Sequence, residues 1–190
     1  MPKADDILNS ALALFASRGF AATPVPLLAA HAGVATGTIY RYFPGKQGVV
    51  NALYRRWKTA MSTALVDGLD RDAPPQEAFA GIWRRLCRFV LDNQAGFAFL
   101  ETHHHQPYLD DDSRRVALAL DTAMWALVAR WQQAGAVRAG DPAILVAQVY
   151  GGLVGVVRSL RERDLPLPED LAAQTIEGAW NLLAQTTREK

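Results

Sequence analysis

Cysteine is nearly absent: Cys87 is the only one in 190 residues, so no intramolecular disulfide can staple the chain. Charge of one sign is missing too, since 20 Lys and Arg face 19 Asp and Glu for a formal net charge of +1. With 50% hydrophobic residues, that balance excludes disorder as the main state. No long hydrophobic run occurs. The most apolar stretch, from Pro142 to Val157, contains Gln148 and falls short of the roughly 20 residues that a bilayer-crossing helix needs. Met1 to Asp6 lead into an amphipathic pattern, not the apolar core of a signal peptide, so a soluble, cytoplasmic protein without membrane contact is expected. No internal repeat, low-complexity tract, phosphate loop, dinucleotide fingerprint or Ser-His-Asp arrangement occurs, which argues against an enzyme and against a bound cofactor.

What is there is helical periodicity and a hidden charge asymmetry. Residues 1–58 carry seven basic side chains against two acidic ones, whereas the remaining 132 carry 13 against 17. A basic block on an acidic body suits contact with a polyanion through the block alone. Apolar residues recur at helical spacing almost throughout, as in Ile7, Ala11 and Phe15, and no segment alternates at period two for long. Breaks at 20–24, Gly33, Pro44, 70–75, 94, Pro107, Gly135 and 165–168 divide the chain into about nine helices. The expected class is all-α: an N-terminal helix-turn-helix domain of three helices over residues 1–48, and a helical bundle over 49–190.

The segment from Thr23 to Lys46 predicts two short helices joined by a tight glycine turn. Leu28, Ala29 and Ala32 can face inward, and Gly33 can take positive φ to end the first helix. Val34 and Ile39 anchor the second helix. Thr36, Thr38, Tyr40, Arg41 and Tyr42 then remain on or near its outer side. Hydroxyls and a guanidinium there can donate to phosphates and base edges, and tyrosine rings can lie against sugars or thymine methyls. Lys46, in the first turn after Pro44, is expected to contact a phosphate.

In Gly19-Phe20, Thr23, Val25, Ala29, Ala32-Gly33-Val34, Gly37-Thr38-Ile39-Tyr40, Tyr42-Phe43 and Lys46, the chain resembles the TetR family of transcriptional regulators. The resemblance covers roughly the first 55 residues. It implies a homodimer on a palindromic double-stranded operator, acting as a repressor that a small-molecule effector releases. It also implies DNA contacts from Thr23, Thr36, Gly37, Thr38, Tyr40, Arg41, Tyr42 and Lys46, with Thr38 and Arg41 reading bases. Pro26 and Leu27 depart from the family, many of whose members carry a basic and an acidic residue there. If Thr23 caps the first short helix, its hydroxyl can reach only the Val25 N–H, because Pro26 has none. By the same resemblance, an effector site is expected among the middle helices, drawn from Trp83, Cys87, Phe99, His103, Met124 and Trp125, in competition with an ordinary packed core.

Two features of the body stand apart. Glu101 and His105 have the i, i+4 spacing of metal ligands, with Asp110 to Asp112 following. A metal-binding or enzymatic protein centred on His103–His105 is therefore the alternative function, set against a plain polar helix end followed by an Asp cap. Ala147, Gly151 and Gly155 lie four residues apart on one helical face. Glycine inside a helix is disfavoured by roughly 1 kcal/mol relative to alanine, so close approach of another helix is expected there. With Ile176, Trp180 and Leu183 of the last helix, this face is the expected dimer interface, the competing possibility being a helix of the same subunit.

Overall fold

The computed structural model describes residues 2–70, 72–102 and 106–185. Among these residues the fold is built from helices and one isolated antiparallel bridge, Val137 with Ala184. The helices are α1 (Pro2–Arg18), α2 (Val25–His31), α3 (Thr36–Tyr42), α4 (Gly45–Val66), α5 (Pro75–Asp92), α6 (Gln94–Thr102), α7 (Asp111–Gln133), α8 (Pro142–Glu162) and α9 (Leu171–Leu183), with a 3-10 turn at Gln106–Tyr108. The all-α class follows, and the expected breaks fall between these helices or at their first residues.

Two compact units emerge, with boundaries inside α4 and α7: residues 1–61 with 93–117, and residues 62–92 with 118–190. Compactness therefore groups more with the helix-turn-helix than the sequence division at residue 48, because α6 packs on α1. In this first unit Phe15 meets Phe20 at 5.7 Å and stacks on Phe99 at 6.4 Å. Ile7, Leu28, Ile39, Leu53 and Phe97 complete a closed interior. A β-carbon on Gly96 of α6 would collide with the Trp57 indole of α4, so glycine there lets the two helices approach.

A polar seam ties α4 to the segment before α7. Asn51, buried on α4, donates to the carbonyls of Gln47 and Tyr108 at 3.0 and 2.8 Å and accepts from the Asp110 N–H at 2.9 Å. Asp110 caps α7 by accepting from the Ser113 N–H at 2.8 Å, and Arg55 donates to both its oxygens at 2.9 Å. Partial burial pushes the Asp110 carboxyl up, but the Ser113 N–H and hydroxyl and the Arg55 guanidinium outweigh this and hold it below its ordinary value.

The second unit centres on an aromatic cluster. Phe79 and Trp83 of α5, Trp131 of α7 and Trp180 of α9 lie with neighbouring ring centroids 5.3–6.5 Å apart, the separation at which such pairs attract beyond simple burial. α9 packs on both α5 and α8. Leu145, Val149, Leu153 and Val157 form the inward stripe of α8. At 21 residues, α8 is longer than the apolar stretch that marks it in the sequence, and by length and composition it could cross a membrane.

Gly96→Ala should destabilise the fold by about 1–3 kcal/mol through overpacking against Trp57, seen as a lower urea midpoint at unchanged slope. The depressed Asp110 carboxyl stabilises the fold above its unfolded value of about 3.9, and this contribution is lost as pH falls through the lower folded value. Asp110→Asn should therefore lower Tm at neutral pH and flatten its decline in acid.

Candidate nucleic-acid interface

The helix-turn-helix is set by two glycine turns. Gly19, at φ 78°, ends α1 with its N–H on the Phe15 carbonyl at 2.9 Å. Gly33, at φ 65°, ends α2. Its N–H reaches Ala30 at 3.2 Å and the Val34 N–H reaches Ala29 at 3.0 Å, the paired bonds of a Schellman cap. A side chain at either position would be strained. The turn sends the chain into α3, where Ile39 is fully buried and holds the helix to the unit.

That anchoring decides what α3 presents. Thr36, Gly37 and Arg41 are exposed, and Tyr40 is 59% exposed; Thr38 and Tyr42 are half-buried. Among the described residues, the Arg41 guanidinium makes no ion pair, so its five donors are available to a partner. Thr36, Thr38, Tyr40, Arg41 and Tyr42 share one short helix, with the two tyrosines two residues apart. A polar, donor-rich ridge on a helix held from behind can enter a DNA major groove.

Two expected contacts turn out otherwise. Thr23 is fully buried, and its hydroxyl donates to the Gly19 carbonyl at 2.8 Å. Pro24, not Thr23, occupies the cap position of α2, and no side chain caps that helix. Thr23 therefore closes the α1–α2 loop and has no surface to offer a phosphate. The Lys46 ammonium likewise turns back. It donates to the Phe20 carbonyl at 2.7 Å, lies 3.5 Å from that of Ala21, and sits 4.2 Å from the Phe20 ring centroid. Burial pushes its pKa below the usual lysine value. The sequence carried no sign of this, because the acceptors are backbone atoms 26 residues away.

The residues proposed for an effector site belong to both compact units. Phe99 lies in the first unit against Phe15, whereas Trp83, Cys87, Met124 and Trp125 lie in the second. Trp83 is buried and donates to the Thr175 hydroxyl at 2.9 Å, and burial pushes the neighbouring Cys87 thiol up to about 11. Both are thereby committed to the α5–α9 seam; Met124 and Trp125 remain half-exposed. An open groove of about 520 Å³ lies elsewhere, lined by Gln132, Gly135, Val137, Ala139, Gly140 and Gln185. His103 and His105 fall outside the described residues. Among the described ones no group of three metal-ligating side chains converges, and Asp110, a candidate ligand, is occupied by Ser113 and Arg55.

Geometry thus defines a helix-turn-helix protein whose second short helix projects a polar, donor-rich face. The family described as bacterial regulatory proteins, tetR family, matches residues 7–58, and a tetracyclin repressor-like C-terminal domain matches residues 55–184. The chain belongs to the TetR family, whose members are DNA-binding transcriptional regulators and not enzymes. It is 31% identical over 113 residues to the HTH-type transcriptional repressor KstR2 of Mycobacterium tuberculosis, a match covering 59% of this chain and 52% of that protein. The chain therefore spans about half the length of that curated relative. Its fold is similar to that of a TetR-family regulator from Shewanella sp. PV-4, with a TM-score of 0.82, 22% identity and coverage of 97% and 99% of the two chains. It is also similar to the fatty acid degradation regulator FadR from Bacillus halodurans, with a TM-score of 0.78, 20% identity and coverage of 100% and 98%.

Arg41→Ala should weaken specific duplex binding by about 1–3 kcal/mol and relax base preference at one position, read by titration against variant duplexes. A uniform loss across sequences, with a shallower salt dependence, would instead assign Arg41 to phosphate. Thr23→Val should lower stability by roughly 1 kcal/mol and leave the base preference intact.

Proposed function

We propose that the protein is a homodimeric transcriptional repressor that binds a palindromic operator and is released by a small-molecule effector. The observation that carries the operator reading is the α3 ridge: Tyr40 and Arg41, the two residues after the buried Ile39, face solvent. Thr36, Gly37, Thr38 and Tyr42 flank them, and base edges are read by Thr38 and Arg41. Two such ridges must stand about 34–36 Å apart, or at a multiple of that spacing, to enter successive major grooves. The KstR2 relative is itself described as a repressor, which supports the direction of control. The site of action is the cytoplasm, where operator DNA is accessible.

Dimerisation is supported by the outer face of α8. Ala147 and Gly151 are exposed there, and a β-carbon on Gly151 or Gly155 would meet nothing within 4 Å. Among the described residues nothing fills the space beside these glycines, which leaves it open to a partner helix. Ile144 is 59% exposed on this helix, and Leu182 of α9 is 45% exposed. The α9 contribution expected from the sequence needs correction, because Leu183 is buried in its own chain. Trp180 touches Phe79 and Trp131 yet stays half-exposed, as does Ile176, so both, with Leu182, are α9 side chains open to a partner.

The effector is taken by the second unit, with Met124 and Trp125 the residues of the proposed set still open to a ligand. α4 contributes residues to both units, so a ligand that binds better when α4 is tilted draws the population away from the DNA-binding spacing. Gly151→Leu should give monomers in analytical ultracentrifugation and abolish tight operator binding; an unchanged dimer removes this interface. Selection of bound duplexes from a random pool should return palindromes, and non-palindromic winners would contradict the dimeric reading.

A further inference from the structure

Lys46 is the second residue of α4, where the positive end of the helix dipole disfavours a cation. Something must offset that, and the offset is local. The Phe20 carbonyl accepts from the Lys46 ammonium at 2.7 Å and from the Thr23 N–H at 3.2 Å. The Phe20 ring lies between the ammonium, at 4.2 Å, and the Tyr108 ring, at 4.4 Å. Thr23 closes the same loop from within by its bond to Gly19. Phe20 is thus held by a cation and two rings, Phe15 and Tyr108, while its carbonyl fixes the chain five residues before α2. At the other end of the clasp, the Pro44 ring packs so closely over Gly48 that a β-carbon would not fit, which fixes the approach to α4.

We propose that Lys46 is a positioning residue: by clasping Phe20 it fixes the α1–α2 loop against the start of α4, so that α2 and α3 meet DNA in one pose, and it makes no phosphate contact of its own. This rests on the operator-binding reading above. It departs from what the family resemblance assigns to Lys46. It also makes Phe20 and Tyr108, which never meet DNA, determinants of operator affinity.

Salt dependence separates positioning from phosphate contact, because each neutralised phosphate contributes about −0.9 to the slope of log affinity against log salt. The parent protein and Lys46→Met are titrated against a duplex recovered by selection, over a series of salt concentrations. Positioning requires an affinity loss of about tenfold or more with the slope unchanged to within about 0.3. A slope shallower by about 0.9, or an affinity equal to that of the parent, overturns the proposal. Phe20→Leu should reproduce the loss, and the double variant should lose little more, since both act through one contact; additive losses overturn it. Lys46→Arg can still donate to the carbonyl and cover the ring, and should keep most of the affinity. In the free protein, amide exchange at Thr23 should accelerate in Lys46→Met, and unchanged protection overturns the proposal even if that variant binds no DNA. A parent without salt-dependent duplex binding removes the operator reading itself, whereas a parent that binds and a variant of shallower slope removes only the clasp.

Discussion

Seven residues make too short a helix to persist in water on its own hydrogen bonds, so α3 exists only because the rest of its unit holds it. Ile39 supplies the grip, with no exposed surface left, and Phe43 is buried just beyond the helix end. The Gly33 turn aims α3 by passing the chain through a backbone conformation that other residues rarely adopt. Once Ile39 points inward, helical geometry leaves Gly37, Tyr40 and Arg41 outside, and Thr36 is exposed at the helix start. The outward polar face of α3 is therefore largely a consequence of where one isoleucine is buried.

Around this helix the first unit is assembled from distant parts of the chain. α6 comes back to α1 through Phe99 and Phe15, and Gly96 removes the side chain that would keep it off Trp57. Asn51 and Arg55 then fasten α4 to Tyr108, Asp110 and Ser113. The α1–α2 loop is caught between these elements by Phe20, which touches Phe15, Lys46 and Tyr108. Asn51 and Lys46 serve the backbone of other segments and Arg55 pairs with Asp110, which is how a small helical unit gains a fixed geometry without a disulfide. Each such bond contributes only about 0.5–1.5 kcal/mol, but a buried member left unpaired would cost more.

The second unit uses aromatic mass instead of polar bonding. Phe79, Trp83, Trp131 and Trp180 draw α5, α7 and α9 together, and Trp83 satisfies its one donor on Thr175. α8 is treated asymmetrically. Its leucine and valine stripe packs inward while its alanine and glycine face is left open, with Ile144 exposed beside it. A glycine-bearing helix face that no described residue covers loses helix propensity without recovering it by packing, and a second copy of the helix would supply that packing.

The sequence by itself determined the helical class, the bounds of α3 at Thr36–Tyr42, the Gly33 turn and the outward set around Tyr40 and Arg41. All of these follow from local rules: periodicity near 3.6 residues, positive φ at glycine, and the hydrophobic face that must turn inward. Only the tertiary structure decided the fates of Thr23, Lys46, Leu183 and Phe99. Thr23 and Lys46 read as donors to DNA until the loop carbonyls of Gly19 and Phe20 are seen to accept from them. Leu183 sits at helical spacing with the interface residues, yet α9 turns it into its own core, and Phe99 packs on Phe15 because α6 joins the first unit. Thr23 turns to a carbonyl only four residues back, but for Lys46, Leu183 and Phe99 the physical reason is common. A side chain's type and spacing define what it can bond, but which acceptor or neighbour it meets depends on segments tens of residues away, whose positions no local pattern encodes.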